Sequence, residues 1–176
     1  MKNLAPKAVW EHFYSLTQIP RPSGKKEEVS AFLAEYGKSL GLETIVDTIG
    51  NVIIRKPASP GYENHPGVIL QGHMDMVPQK NNDTNFDFAK DPIEAYVDGE
   101  WVTAKGTTLG ADNGIGVAAA MAILADKSVV HPPLEVLVTV DEETGMYGAF
   151  ALEGGLLQGK TLLNLDSEAE GELYVG

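Results

Sequence analysis

Gly67-Val-Ile-Leu-Gln71 is a short, continuous apolar run, the pattern expected of a strand buried on both faces of a sheet. Two further runs repeat it, Leu134 to Val140 and Leu162 to Leu165, and both are expected to be buried strands. Between them lie helical patterns. Gly114 to Ala125 is a small-residue helix rich in Ala, suited to close packing on a sheet, and a short helix is expected near Tyr147 to Leu152. Strands alternating with helices imply an α/β layered fold with a largely parallel central sheet.

Working outward, Pro6 to Leu16 reads as a helix with Val9, Phe13 and Leu16 on one face. Ile19-Pro-Arg-Pro-Ser-Gly24 breaks it, and Ser23 is the expected N-cap of a second helix reaching Leu40. Thr44 to Asp47 and Asn51 to Arg55 flank Gly50 as a hairpin. A second hairpin, Ala95 to Val102, turns at Asp98-Gly99. Residues 57–66 and 79–92 read as surface loops within a single domain.

Charge and composition narrow the function. The 176 residues carry a net charge of −12, which offers no basic stripe to nucleic acid or to an anionic membrane. The apolar fraction, 43%, is that of a folded chain, with no run approaching the ~20 apolar residues of a membrane span. The N-terminus develops no signal-peptide core, so the cytoplasm is the expected location. With no cysteine, a transition-metal site must use imidazole and carboxylate ligands.

Such groups gather where the strands end. In open α/β sheets ligands collect at the carboxyl ends of strands. Here Val68-Ile-Leu-Gln-Gly runs into His73-Met-Asp75, Leu134-Glu-Val-Leu-Val-Thr-Val into Asp141-Glu142-Glu143, and Thr161-Leu-Leu-Asn-Leu into Asp166-Ser-Glu168. Asp112 lies in Gly110-Ala-Asp-Asn-Gly114, just before the Ala-rich helix. Singly, each has a structural reading: a hydrogen-bonded histidine, a solvated acidic turn, a cap. Together they would repel one another at one sheet edge unless a cation neutralised them, and oxygen and imidazole ligands suit zinc, or manganese or cobalt in its place. The His73-x-Asp75 spacing lets the carboxylate steady the imidazole from behind. Of the Glu142-Glu143 pair, one can bind metal while its neighbour takes a proton from water.

Four segments carry a family resemblance over essentially the whole chain: Gln71-Gly-His73-Met-Asp75-Met-Val-Pro78, Gly106-Thr-Thr-Leu-Gly-Ala-Asp112-Asn-Gly-Ile-Gly116, Thr139-Val-Asp-Glu142-Glu143-Thr-Gly145 and Leu163-Asn-Leu-Asp166-Ser-Glu168. Jointly they resemble the zinc exopeptidase family of carboxypeptidase G, succinyl-diaminopimelate desuccinylase, peptidase T and carnosinase, and within it the dipeptidases of aminoacyl-histidine type. The resemblance implies a three-layer α/β sandwich. It implies two Zn²⁺ ions, one bound by His73 and Asp166, the other by Glu143, with Asp112 shared. Glu142 would be the general base and Asp75 would orient His73. Hydrolysis would proceed through water held between metals ~3.5–4 Å apart, on short peptides with a free N-terminus such as Xaa-His. Aspartate at position 166 resembles the dipeptidases and aminopeptidases, where the carboxypeptidase-like members carry Glu.

Members of the family continue beyond the matching region through a lid or dimerisation domain and back into the catalytic domain, and are often homodimers. The returning segment supplies a further His ligand, and His12, His65 and His131 sit in no matching motif. Residues 1–176 are therefore expected to be the N-terminal portion of the catalytic domain, with the lid and C-terminal segment absent. An alternative follows: a truncated metal-binding domain without turnover, exposing much apolar surface. A remote one is a P-loop nucleotide hydrolase, because Gly154-Gly-Leu-Leu-Gln-Gly159-Lys160-Thr161 matches the Walker A letters. Its order is reversed, since a P-loop runs from strand into helix and this stretch runs from helix into strand. Gly114-Ile-Gly116-Val-Ala-Ala119 mimics a dinucleotide fingerprint but follows a loop, and Asp112 would face the pyrophosphate with like charge.

Overall fold

The computed structural model describes residues 1, 3–167, 171–172 and 174–175. Glu168, which closes the last of the four motif segments, lies outside them. Two helices come first, α1 (Lys7–Thr17) and α2 (Glu27–Ser39), followed by β1 (Glu43–Val46), β2 (Val52–Lys56) and β3 (Val68–His73). The hairpin β4 (Ala95–Asp98) and β5 (Trp101–Ala104) precedes α3 (Ala111–Ala125), β6 (Leu134–Thr139), α4 (Tyr147–Phe150) and β7 (Thr161–Asn164).

The main sheet has the order β1-β2-β6-β3-β7, with β3 parallel to both β6 and β7. β2 is antiparallel to β1 and to β6, so four of the five strands share one direction and β2 alone opposes them. Strand alternation sends Val52, Ile54, Leu70, Val136 and Val138 to one face, where they meet α1, α2 and α3. Ile53, Ile69 and Leu137 point to the other face, covered by Leu152, Leu156 and Leu157. A third cluster, Met76, Ile93 and Ala104, seats the β4–β5 hairpin. Leu33 of α2 is fully buried in the first of these clusters, and truncating it to Ala is expected to cost ~2–5 kcal/mol.

Three expectations change. Helix α2 starts at Glu27, and its N-cap, Lys26, makes no side-chain cap hydrogen bond; Ser23 is not the cap, because its hydroxyl is directed to Asp75. α4 is a single turn ending at Phe150. β7 is not buried: its four residues are exposed, with Leu162 and Leu163 nearly half accessible. The physical reason is position, because β7 is the edge of the sheet and pairs with β3 alone among the described residues.

Candidate metal centre

β3 runs three residues further than its apolar core and delivers His73 to the carboxyl end of the sheet, beside the end of β6. The imidazole is buried. Its Nδ1 lies 3.1 Å from the carbonyl oxygen of Asp75 and 3.4 Å from Asp75 Oδ1. An Nδ1–H directed there leaves Nε2 facing the carboxylates. Nε2 is 3.0 Å from Asp112 Oδ1, 3.5 Å from Asp166 Oδ2 and 3.9 Å from Glu142 Oε2. Burial disfavours the charged ring, but the hydrogen bond and charge of Asp75 and the carboxylates of Asp166 and Asp112 outweigh it, pushing the His73 pKa up to about 9.

Asp75 is nearly inaccessible and gathers more than the imidazole. Its Oδ2 accepts the Ser23 hydroxyl at 2.7 Å and the Glu143 N–H at 3.3 Å, while Oδ1 accepts the Glu142 N–H at 3.0 Å. Burial alone would raise this carboxyl; donation from His73, Ser23 and the Glu142 amide holds it below the ordinary aspartate value. One carboxylate thus ties the end of β3 to the backbone of Glu142 and Glu143.

Asp112 precedes the regular part of α3. Residues 112 and 113 depart from helical dihedrals, and the Asp112–Asn113 peptide is cis. The Asn113 amide, almost fully buried, donates to Leu165 O at 3.0 Å and to Asp166 Oδ1 at 3.3 Å, joining the Asp112 loop to the end of β7. A Cβ at Gly72 would run into Asn113 Oδ1, so the strand is bare where this side chain crosses it.

His73, Asp112 and Glu143 each offer a ligand atom within 4.8 Å of the others, and so do His73, Glu142 and Asp166. Glu143 is raised above the ordinary carboxylate range by burial, then by the like charge of Asp112, with His73 opposing. Asp166 is raised by burial, opposed by His73, and pushed up again by Asp112 and Glu142. Oxygen and imidazole donors crowded until their own charges conflict are a donor set suited to a divalent cation. His12 packs on Tyr36, His65 stacks on Tyr62, and His131 Nδ1 lies 2.7 Å from Pro132 O, each away from this cluster.

The sequence reading missed Arg21, Ser23 and Asn113. Arg21 is buried and donates from Nη1 to Met74 O at 3.0 Å and Asp75 O at 3.3 Å, and from Nη2 to Gly110 O at 2.5 Å. Burial lowers its pKa to about 10 against the raising influence of Asp75, Asp112 and Glu143, so it stays charged at neutral pH. The available signal was a lone cation and a hydroxyl inside a Pro-rich break, which reads first as a connector.

The Walker A letters have a different use. The backbone N–H groups of Gln158 and Gly159 both donate to Glu135 Oε1, at 2.7 and 2.5 Å, and Arg55 Nε donates to Glu135 Oε2 at 3.2 Å. A buried carboxylate from β6 therefore takes the amides that a phosphate would need, and the loop leads into strand β7.

No helix among the described residues is long and apolar enough to cross a membrane. Comparison with known proteins places this geometry. The pattern of Peptidase family M20/M25/M40 matches residues 69–171, which contain His73, Asp112, Glu142, Glu143 and Asp166. The chain is 54% identical over its whole length to the cytosol non-specific dipeptidase of Escherichia coli K12, and spans 36% of that relative. The aminoacylhistidine dipeptidase structure from Vibrio alginolyticus superposes with a TM-score of 0.94 at 55% identity, over 97% of this chain and 35% of that one. Aminopeptidase PepT from Bacillus cereus follows the same fold, with a TM-score of 0.77 at 25% identity over 93% of this chain and 44% of its own. The chain belongs to Peptidase family M20/M25/M40.

Proposed function

We propose that this chain carries the metal-binding core of a dipeptidase that hydrolyses short peptides, Xaa-His dipeptides among them, with two Zn²⁺ ions. The observation that carries the reading is the convergence of one imidazole and four carboxylates, from the ends of β3, β6 and β7 and the start of α3, in a member of a peptidase family. His73 and Asp166 would hold one ion and Glu143 the other, with Asp112 shared; Mn²⁺ or Co²⁺ suits the same donors. Bound ions would supply the Lewis acidity that polarises a peptide carbonyl and makes water nucleophilic near neutral pH.

The remaining roles fall to the chain. Glu142 is about a third exposed and 3.9 Å from His73 Nε2, so it can take a proton from the attacking water and return it to the leaving amine. Asp75 keeps the Nδ1–H of His73 turned away from the ligand side and fixes the backbone of Glu142 and Glu143. Asn113 holds Asp166 against the Asp112 loop.

A second reading is a metal-binding domain without turnover; the chain spans 36% of the length of the E. coli relative. Assay of Xaa-His hydrolysis by the zinc-loaded chain separates the two. Hydrolysis abolished by Glu142→Ala supports the dipeptidase; retained zinc binding with no hydrolysis supports the second reading.

A further inference from the structure

Arg21 lies outside the family-matched segment and outside the ligand set, yet it is 2% exposed and sits directly beneath the cluster. A wholly buried cation is costly unless its donors are answered. Here Nη1 and Nη2 are answered by main-chain carbonyls on both sides of the site, while the buried Nε has no hydrogen-bond partner among the described residues. Nη1 holds Met74 and Asp75, just beyond His73, and Nη2 holds Gly110, two residues before Asp112. The backbone of residue 21 adds to the first grip, because Met76 N donates to Arg21 O at 3.1 Å and Ser23 N to Met76 O at 3.3 Å.

The Asp112 loop is shaped to this group. A Cβ at Gly110 would come within 2.5 Å of Nη2, and one at Gly114 within 2.6 Å of it and 3.1 Å of Phe13. Gly110 also has φ +71°, which a side chain would strain. The two glycines that bracket Asp112 are thus bare where the guanidinium passes between them. Lysine could match the charge but not the planar fork that reaches two strands of backbone at once.

We propose that Arg21 is a positioning residue that sets the spacing between His73 and Asp112 by clamping the carbonyls of Met74, Asp75 and Gly110, and so governs metal affinity without touching the metal. This rests on the reading of the cluster as a divalent-cation site. Supporting groups of this kind change metal affinity by about 10–100-fold when removed.

The test compares the metal-stripped chain with Arg21→Lys, Arg21→Met and Gly114→Ala. Zn²⁺ affinity is read by chelator competition, and the visible spectrum is read after Co²⁺ loading. Arg21→Lys and Gly114→Ala are expected to lose about 10–100-fold in affinity and to show an altered cobalt spectrum, with far-ultraviolet circular dichroism unchanged. Gly114→Ala keeps the charge and displaces the fork, so it decides the matter even if Arg21→Met does not fold. Leu33→Ala, destabilised away from the cluster, is expected to keep wild-type affinity when folded. Tight binding by the unsubstituted chain that is unchanged in Arg21→Lys and Gly114→Ala overturns this inference alone. No binding by the unsubstituted chain overturns the cation site and the inference with it.

Discussion

His73 Nε2 stands 3.0 Å from Asp112 Oδ1, although the two residues are 39 positions apart in the chain. β3 supplies one and the turn into α3 the other. Arg21 links the two segments beneath them, donating to Met74 and Asp75 just beyond His73 and to Gly110 just before Asp112.

That contact makes metal binding sensitive to pH. A ligating imidazole must be neutral, while in the metal-free chain the His73 pKa is raised to about 9. Zinc should displace a proton at neutral pH, and its apparent affinity should rise about tenfold per pH unit up to that value. Calorimetry in buffers of different ionisation enthalpy checks this; no proton release at neutral pH would oppose it.

The same shift has the opposite sign for folding without metal. The His73 pKa is raised above the ordinary histidine value of 6.5, so the stability it contributes is fully present below 6.5 and is lost as pH rises through about 9. Urea unfolding of the stripped chain should show His73→Gln removing this part of the pH dependence.

Asp75 is expected to matter to the fold as well as the chemistry. Asp75→Asn exchanges an acceptor oxygen for a donor facing Ser23 Oγ and the Glu143 N–H, or facing the Glu142 N–H in the other orientation. Leaving such buried donors unmatched costs about 1–3 kcal/mol. Ser23→Ala, which removes one donor from an acceptor that keeps others, should cost less, about 1 kcal/mol. Equal stability of all three chains in urea would contradict this assignment.

Glu135 should behave as a structural anchor independent of the metal centre. Glu135→Ala leaves Arg55 Nε and the amides of Gln158 and Gly159 without their acceptor. Arg55 keeps Glu43 and the Leu156 carbonyl, so a loss of about 1–3 kcal/mol is expected from the unmatched amides and the lost Nε bond, with zinc affinity unchanged. Titration with ATP should give no binding that depends on Lys160, because the loop amides are already engaged.

Much of this was legible in the chain because it was local. Apolar runs ending in His73, Glu142-Glu143 and Asp166 announced strands with polar ends, and the sheet brings those ends together. Ser23 was misread because an N-cap is judged from its neighbours, while its actual partner, Asp75, lies 52 residues away. Arg21 and Asn113 were opaque for the same reason, with partners up to 89 and 53 residues distant. Leu162 and Leu163 look like core by hydropathy, and only the strand order reveals an edge.

Isothermal titration of the stripped chain with Zn²⁺ tests the central claim most directly. Two ions per chain are expected, with binding lost when His73→Ala and Asp112→Ala are combined. Heats indistinguishable from dilution in the unsubstituted chain, or an isotherm untouched by that double substitution, would contradict it.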